Sequence, residues 1–213
     1  MKAMLIIFIG MILISSISAT SLEKEEHYII LDKPVINIPK VVEFFSFLCP
    51  YCYKFESIYH VSRIVNNELP KNVKLIRYHV SLLGGNLGRV LTQAWSVAIA
   101  LGVEEKMITP IFDGIMKTKT IHYPNDIRKV FIDKGINGKD YDAVWNSFMV
   151  KFLVFKQNKV VDIIQLHGIP SIVVDGKYLI VQDSMNSTPD SIYNYSQFYA
   201  KRVKFLIKKT LKY

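Results

Sequence analysis

The chain has 213 residues, half of them hydrophobic, a formal charge of +9 and only two cysteines. That length is enough for one well-packed domain or a domain with a sizeable insertion, and no stretch has the low complexity of a disordered chain. The positive charge raises nucleic acid or an anionic membrane as partners, but much of it sits in Lys201, Arg202, Lys204, Lys208, Lys209 and Lys212. Cations are favoured near a helix C-terminus, so a solvated terminal helix accounts for them, and no nucleic-acid module accompanies them.

Residues 1–19 read as a secretory signal peptide: Lys2, then the apolar stretch from Met4 to Ile14, then Ser15-Ser16-Ile17-Ser18-Ala19. The apolar core is short for a membrane span; an uncleaved anchor is the alternative, because Ile17 is larger than the small residue a cleavage site prefers. Export would put both thiols in an oxidising compartment. Tyr28-Ile29-Ile30-Leu31 reads as a first strand and Val41-Val42-Glu43-Phe44-Phe45-Ser46-Phe47 as a buried second one. A helix is predicted from Pro50 to about Asn66, then a strand over 73–79, an order that implies parallel strands with a crossover helix. Gly84-Gly85-Asn86-Leu87-Gly88 does not match a nucleotide-binding fingerprint and reads as a loop opening a helical block.

Within that block, helices are predicted over 91–101, stopping at Gly102, over 104–117 with a distortion at Pro110, over 126–134, ending at Gly135, and as one long helix over 140–165. Asp175-Gly176 between Ser171-Ile172-Val173-Val174 and Lys177-Tyr178-Leu179-Ile180-Val181 signals a β-hairpin, and a last helix runs from about Pro189 towards Lys209. The fold class is therefore α/β, a mixed sheet with helices on both faces, interrupted by an all-helical insertion. The boundaries follow as 20–81 with 158–213 for the sheet-bearing domain and 82–157 for the insertion.

Both cysteines lie two residues apart in Phe47-Leu48-Cys49-Pro50-Tyr51-Cys52, at the strand-to-helix junction. Pro50 suits the first helical turn, leaving Cys49 at or just before the N-cap, where unpaired backbone N–H groups and the helix dipole favour a thiolate. Cys49 is then the nucleophile and leaving group, and Cys52, on a face shared with Phe55 and Tyr59, the more buried resolving thiol. Half of a zinc site is a competing reading, but there is no second pair and His60 and His79 stand alone. A purely structural disulfide would close a very short loop and stabilise little. Glu43, inside an apolar strand, needs a partner or a proton; a solvent-facing strand edge is the alternative.

The Cys-Pro-x-Cys junction, the helical insertion and Gly168-Ile169-Pro170 before a hairpin together resemble the thioredoxin-fold family, and more closely the DsbA periplasmic disulfide oxidoreductases. The resemblance extends through Glu43-Phe44-Phe45-Ser46-Phe47, Tyr78-His79-Val80, Leu91-Thr92-Gln93-Ala94-Trp95, Tyr141-Asp142-Ala143-Val144-Trp145-Asn146-Ser147-Phe148 and Gly176-Lys177-Tyr178. It implies a thioredoxin-like fold and a Cys49–Cys52 disulfide in which Cys49 is attacked and Cys52 resolves. It also implies a cis Pro170 and an Ile169 backbone that pairs with bound substrate as a short added strand. Arg77 matches the place of the family's lysine beside the acidic residue at Glu43; since arginine holds its charge more firmly than lysine would, Glu43 is expected to be more firmly ionised and a poorer proton relay.

Where the family has Pro-His between its cysteines, this chain has Pro50-Tyr51. Tyrosine lacks the cationic stabilisation histidine offers a thiolate, so a weaker oxidant is expected, between the roughly −120 mV of DsbA and the roughly −200 to −230 mV of glutaredoxins. The implied activity is donation of the disulfide to exported, folding proteins in the periplasm by a monomer that needs no cofactor or metal and is reoxidised by a DsbB-type membrane partner. An isomerase or reductase, and a peptide-binding chaperone with incidental thiols, are the alternatives. Asn186-Ser187-Thr188 and Asn194-Tyr195-Ser196 match the glycosylation pattern and read as chance loop sequence.

Overall fold

Val41, Val42, Phe44 and Phe45 give a strand without a polar face, and β2 (Val41–Phe45) is accordingly buried on both sides in the middle of the sheet. In the computed structural model, which describes residues 28–180 and 189–211, β2 runs parallel to β3 (Leu75–His79) and antiparallel to β4 (Ser171–Val174). The sheet continues through β5 (Tyr178–Ile180) to β1 (Tyr28–Ile30), giving the order β1-β5-β4-β2-β3. The leader, Val181, Lys212 and the Asn186 sequon lie outside the described residues. Among those described, no helix is long and apolar enough to cross a membrane.

Successive β2 side chains point to opposite faces, and the helices divide accordingly. On one face Val41 joins Phe55 of α1 (Pro50–Ser57), Val65 of α2 (Val61–Glu68) and Tyr199 of α8 (Pro189–Thr210). Farther along the same face, Phe45 meets Trp95 of α3 (Asn86–Leu101) edge-on at 5.2 Å and Phe112 of α4 (Glu104–Met116) at 5.9 Å. The helical block is completed by α5 (Pro124–Asp133) and α6 (Gly138–Trp145), which meet through Phe131 and Tyr141 at 4.8 Å. Val42 and Phe44 face Val160, Val161 and Ile164 in the second half of α7 (Phe148–Ile164).

The outer edge of β3 is covered by side chains. Leu75 N–H donates to Asn66 Oδ1 at 3.1 Å, Arg77 C=O accepts from Trp95 Nε1 at 3.0 Å, and His79 N–H donates to Gln157 Oε1 at 2.8 Å. Three helices thus satisfy backbone groups that would otherwise invite another strand.

Two predicted helices are broken. The one from Pro50 to Asn66 divides at His60, whose φ of 51° is left-handed and whose Nδ1 lies 3.0 Å from Glu56 O. The bend sends Phe55 and Tyr59 towards Tyr199 and Tyr195, with ring centroids at 5.0 and 4.8 Å, and frees α2 to pack on α8. The helix over 140–165 divides at Asn146 because the Ser147 hydroxyl caps α7, accepting from Val150 N–H at 3.2 Å. Smaller differences follow the same logic: α3 starts earlier, at Asn86, and Asn194 lies in helix α8 rather than in a loop. The hairpin turn has positive φ at both Asp175 (53°) and Gly176 (64°), and a Cβ on Gly176 would stand 1.9 Å from Val35 O.

Candidate active site

The loop leaving β2 is fixed before the cysteines are reached. Phe47 N–H donates to His79 Nε2 at 3.1 Å, Leu48 N–H to Ser46 Oγ at 3.2 Å, and Cys49 N–H to Ser46 O at 3.1 Å. Because Nε2 is the acceptor, the imidazole proton sits on Nδ1 and points at Thr92 Oγ1, 2.8 Å away; Thr92 donates on to Gly88 O at 3.1 Å. His79 is fully buried, and burial lowers its pKa to about 3, so it is a neutral structural histidine. Neither this role nor that of Thr92 is visible in the sequence, where both lie in segments that resemble the family without a role assigned to either.

Cys49 is the N-cap of α1, with Pro50 in the first turn as predicted. Its sulfur accepts from Cys52 N–H at 3.3 Å and lies 3.6 Å from the carbonyl oxygen of Ile169. The hydrogen bond from the Cys52 thiol, aided by the backbone N–H groups of Cys52 and Tyr51, outweighs burial and brings the Cys49 pKa down to about 7. Cys52 moves the other way: burial pushes its thiol well above the ordinary value, and the Cys49 thiol and charge push further in that direction. Both cysteines are buried, and both are free thiols in this structure.

The Ile169–Pro170 peptide is cis, as expected, and the Ile169 carbonyl stands against Cys49 although the two residues lie 120 apart in the chain. Tyr51 stands 55% exposed at the mouth of the site. Leu48 packs over Gly84, at φ 73°, where a Cβ would meet the Leu48 side chain at 2.2 Å. Exposed Leu82 and Leu83 precede that glycine.

Beneath the cysteines, Glu43 is buried and directly opposite Arg77 in the parallel register. Even with Arg77 opposite it, Glu43 is not held firmly ionised. Burial raises the Glu43 carboxyl to about 7 despite the pull of Arg77, and the charge of Glu56 raises it further. Arg77 Nε approaches Glu43 Oε2 only to 3.5 Å, without a hydrogen bond, because the guanidinium is shared with Glu56 on α1 and Glu105 on α4. Neither acid stands out in the sequence, since each is an ordinary polar position of an amphipathic helix.

Comparison with known proteins meets this geometry. A model of the DSBA-like thioredoxin domain matches residues 40–192. The chain is 47% identical over 209 residues to the thiol:disulfide interchange protein DsbA of Escherichia coli, covering 98% of this chain and 100% of that protein. Identity to the protein of the same name in Salmonella typhimurium is 48%, with the same coverage. The crystal structure of the disulfide oxidoreductase DsbA from Proteus mirabilis matches with a TM-score of 0.74 at 44% identity, over 83% of this chain and 94% of that one. A complex of Proteus mirabilis DsbA with a non-covalently bound peptide, PWATCDS, matches with a TM-score of 0.76 at 43% identity, over 83% and 95%. With the family's domain over most of its length and relatives of that activity nearly half identical from end to end, the chain belongs to the DsbA family of thiol:disulfide oxidoreductases.

Proposed function

We propose that this oxidoreductase works in the oxidising direction, donating a Cys49–Cys52 disulfide to exported proteins as they fold. A substrate thiolate attacks Cys49 Sγ, the Cys49–Cys52 bond breaks, and Cys52 leaves and takes up a proton. A second substrate thiolate then attacks the substrate sulfur of the mixed disulfide, releasing an oxidised substrate and the Cys49 thiolate. The observation that carries this reading is the unequal pair: Cys49 is at the helix start with its pKa lowered to about 7, while Cys52 is pushed well above the ordinary value. The first is a good leaving group near neutral pH and the second readily keeps a proton.

Glu43, beneath Cys52 and with a pKa of about 7, gives that proton and takes it back when the pair is reoxidised. Ile169 and Pro170 form the backbone on which an extended substrate segment lies beside Cys49, a role supported by the 3.6 Å contact and by the peptide bound to the Proteus mirabilis relative. Pro50 and Tyr51 tune the thiolate, and Arg77 tunes Glu43. We read residues 20–81 with 158–213 as the thioredoxin-like domain and 82–157 as the helical insertion. The protein acts as a monomer in the periplasm after removal of residues 1–19, and a DsbB-type membrane partner restores the disulfide.

The test is to mix the oxidised protein with an equimolar reduced, unfolded substrate carrying two thiols, quench with acid and map the adducts. Substrate should be attached to Cys49, with Cys52 a free thiol, and substrate disulfide should appear as enzyme disulfide is lost. Attachment to Cys52, or no substrate oxidation, would contradict the reading.

A further inference from the structure

Arg77 divides its guanidinium among carboxylates from three elements, and the division is uneven. Nη1 donates to Glu105 Oε1 at 2.6 Å and Nη2 to Glu56 Oε2 at 3.4 Å, whereas Nε stands 3.5 Å from Glu43 Oε2 with no hydrogen bond. The side chains of Glu43 and Arg77 are 3% and 7% exposed, while that of Glu105 is 82% exposed. The buried carboxylate has most to gain from a two-pronged arginine contact, yet the shortest bond goes to the one already in water. Glu105 charge is screened by solvent, so what it contributes is the place where it holds the guanidinium.

We propose that Glu105 is a positioning residue for disulfide exchange: by holding Arg77 Nη1 towards α4, it prevents the guanidinium from closing on Glu43 and leaves Glu43 free to exchange a proton with Cys52. This rests on the role given to Glu43 above. When Cys52 leaves as a thiolate, the Glu43 carboxyl transfers its proton to that sulfur and becomes a carboxylate. In the return direction the carboxylate takes the proton from the Cys52 thiol, whose sulfur attacks Cys49 of the mixed disulfide; that S–S bond breaks and the bound thiolate departs.

The surroundings of Glu43 leave Arg77 as the adjustable partner. Cys52 and Glu56 face it from α1, the Ser62 hydroxyl from α2, and Arg77 from β3, while its register partner on β4 is apolar Ile172. Glu105 reaches it only through Arg77, beside a cavity of about 640 Å³. That cavity also carries His60, Arg63, Lys74, Glu104, Asp113 and Lys117, whose opposite charges largely offset one another.

The experiment uses the full protein carrying glutathione on Cys49, trapped at acid pH and then jumped to values between about pH 5 and 9, and follows glutathione release by Cys52. The unsubstituted protein should show a rate that rises with pH through the Glu43 titration. In Glu105→Ala, which removes the acceptor that holds Nη1, Arg77 is free to close on Glu43, and the midpoint should move by about one unit towards acid. Glu43→Gln should lose that inflection. A Glu105→Ala midpoint identical to that of the unsubstituted protein, with the inflection lost in Glu43→Gln, overturns the role of Glu105 while leaving that of Glu43 intact. An inflection that survives Glu43→Gln overturns both. The exposed position of Glu105 makes its variant foldable, and matching thermal unfolding of the two proteins checks this.

Discussion

Cys49 and Cys52 are chemically the same residue, and only their surroundings separate them. The strand-proline-helix junction made Cys49 legible as an N-cap thiol, whereas its contact with Ile169 depends on a residue 120 positions away. The separation of the two thiols has a consequence for stability in the reduced protein. Cys49 has a folded pKa of about 7, below its unfolded value, so its ionisation stabilises the fold at pH values above the ordinary thiol range. That contribution is lost as pH falls through about 7. Cys52 has the opposite sign: its folded value is raised, so keeping it neutral supports the fold below the ordinary thiol pKa and counts against it as pH rises beyond. Since a disulfide has neither thiol, the stability of the reduced form relative to the oxidised form should increase by about 1 kcal/mol between pH 7 and roughly pH 8.5 and decline above that. Urea unfolding of both forms across this range measures it, and a flat difference would show that Cys49 is not an acidified thiol.

Secondary elements were legible where periodicity or turn chemistry marked them, and illegible where tertiary contacts decided. Asp175-Gly176 announced its hairpin, and Gly102 the end of α3. The break at His60 carries no glycine or proline; it exists because α1 and α2 must each present an apolar face to α8. Gln157, one of several polar residues of α7, is equally silent in sequence. In the fold it is 1% exposed, accepts from His79 N–H, and donates to Ser96 Oγ at 2.8 Å and Leu153 O at 3.2 Å, joining α7 to β3 and α3. Gln157→Leu keeps the volume but strands a buried backbone donor on the strand that holds His79. It should cost about 1–3 kcal/mol in urea unfolding. A change near zero would mean that the covered edge of β3 does not depend on this side chain.

For the whole molecule, the βαβ order and the hairpin were enough to foresee a mixed sheet with a helical insertion, because parallel strands require a crossover and Asp-Gly requires a tight turn. What could not be foreseen is how elements share groups beneath the cysteines. Arg77 and Glu105 are 28 residues apart, and His79 and Gln157 78, so no local pattern records that they meet. Glu43 shows the consequence: opposite an arginine in sequence register it looks ionised, and only its full burial, with the charge of Glu56 from α1, reveals why it is not firmly so.

As an oxidant, the Cys49–Cys52 pair draws its strength from a thiolate stabilised by the Cys52 thiol and the helix start, without a cationic residue between the cysteines. Equilibrating the purified protein with glutathione buffers of known ratio tests it directly. The expected potential lies between about −120 mV and about −200 mV, with a shift towards the less negative value in Tyr51→His. A potential at or below about −230 mV, or one near −120 mV that Tyr51→His leaves unchanged, would contradict it.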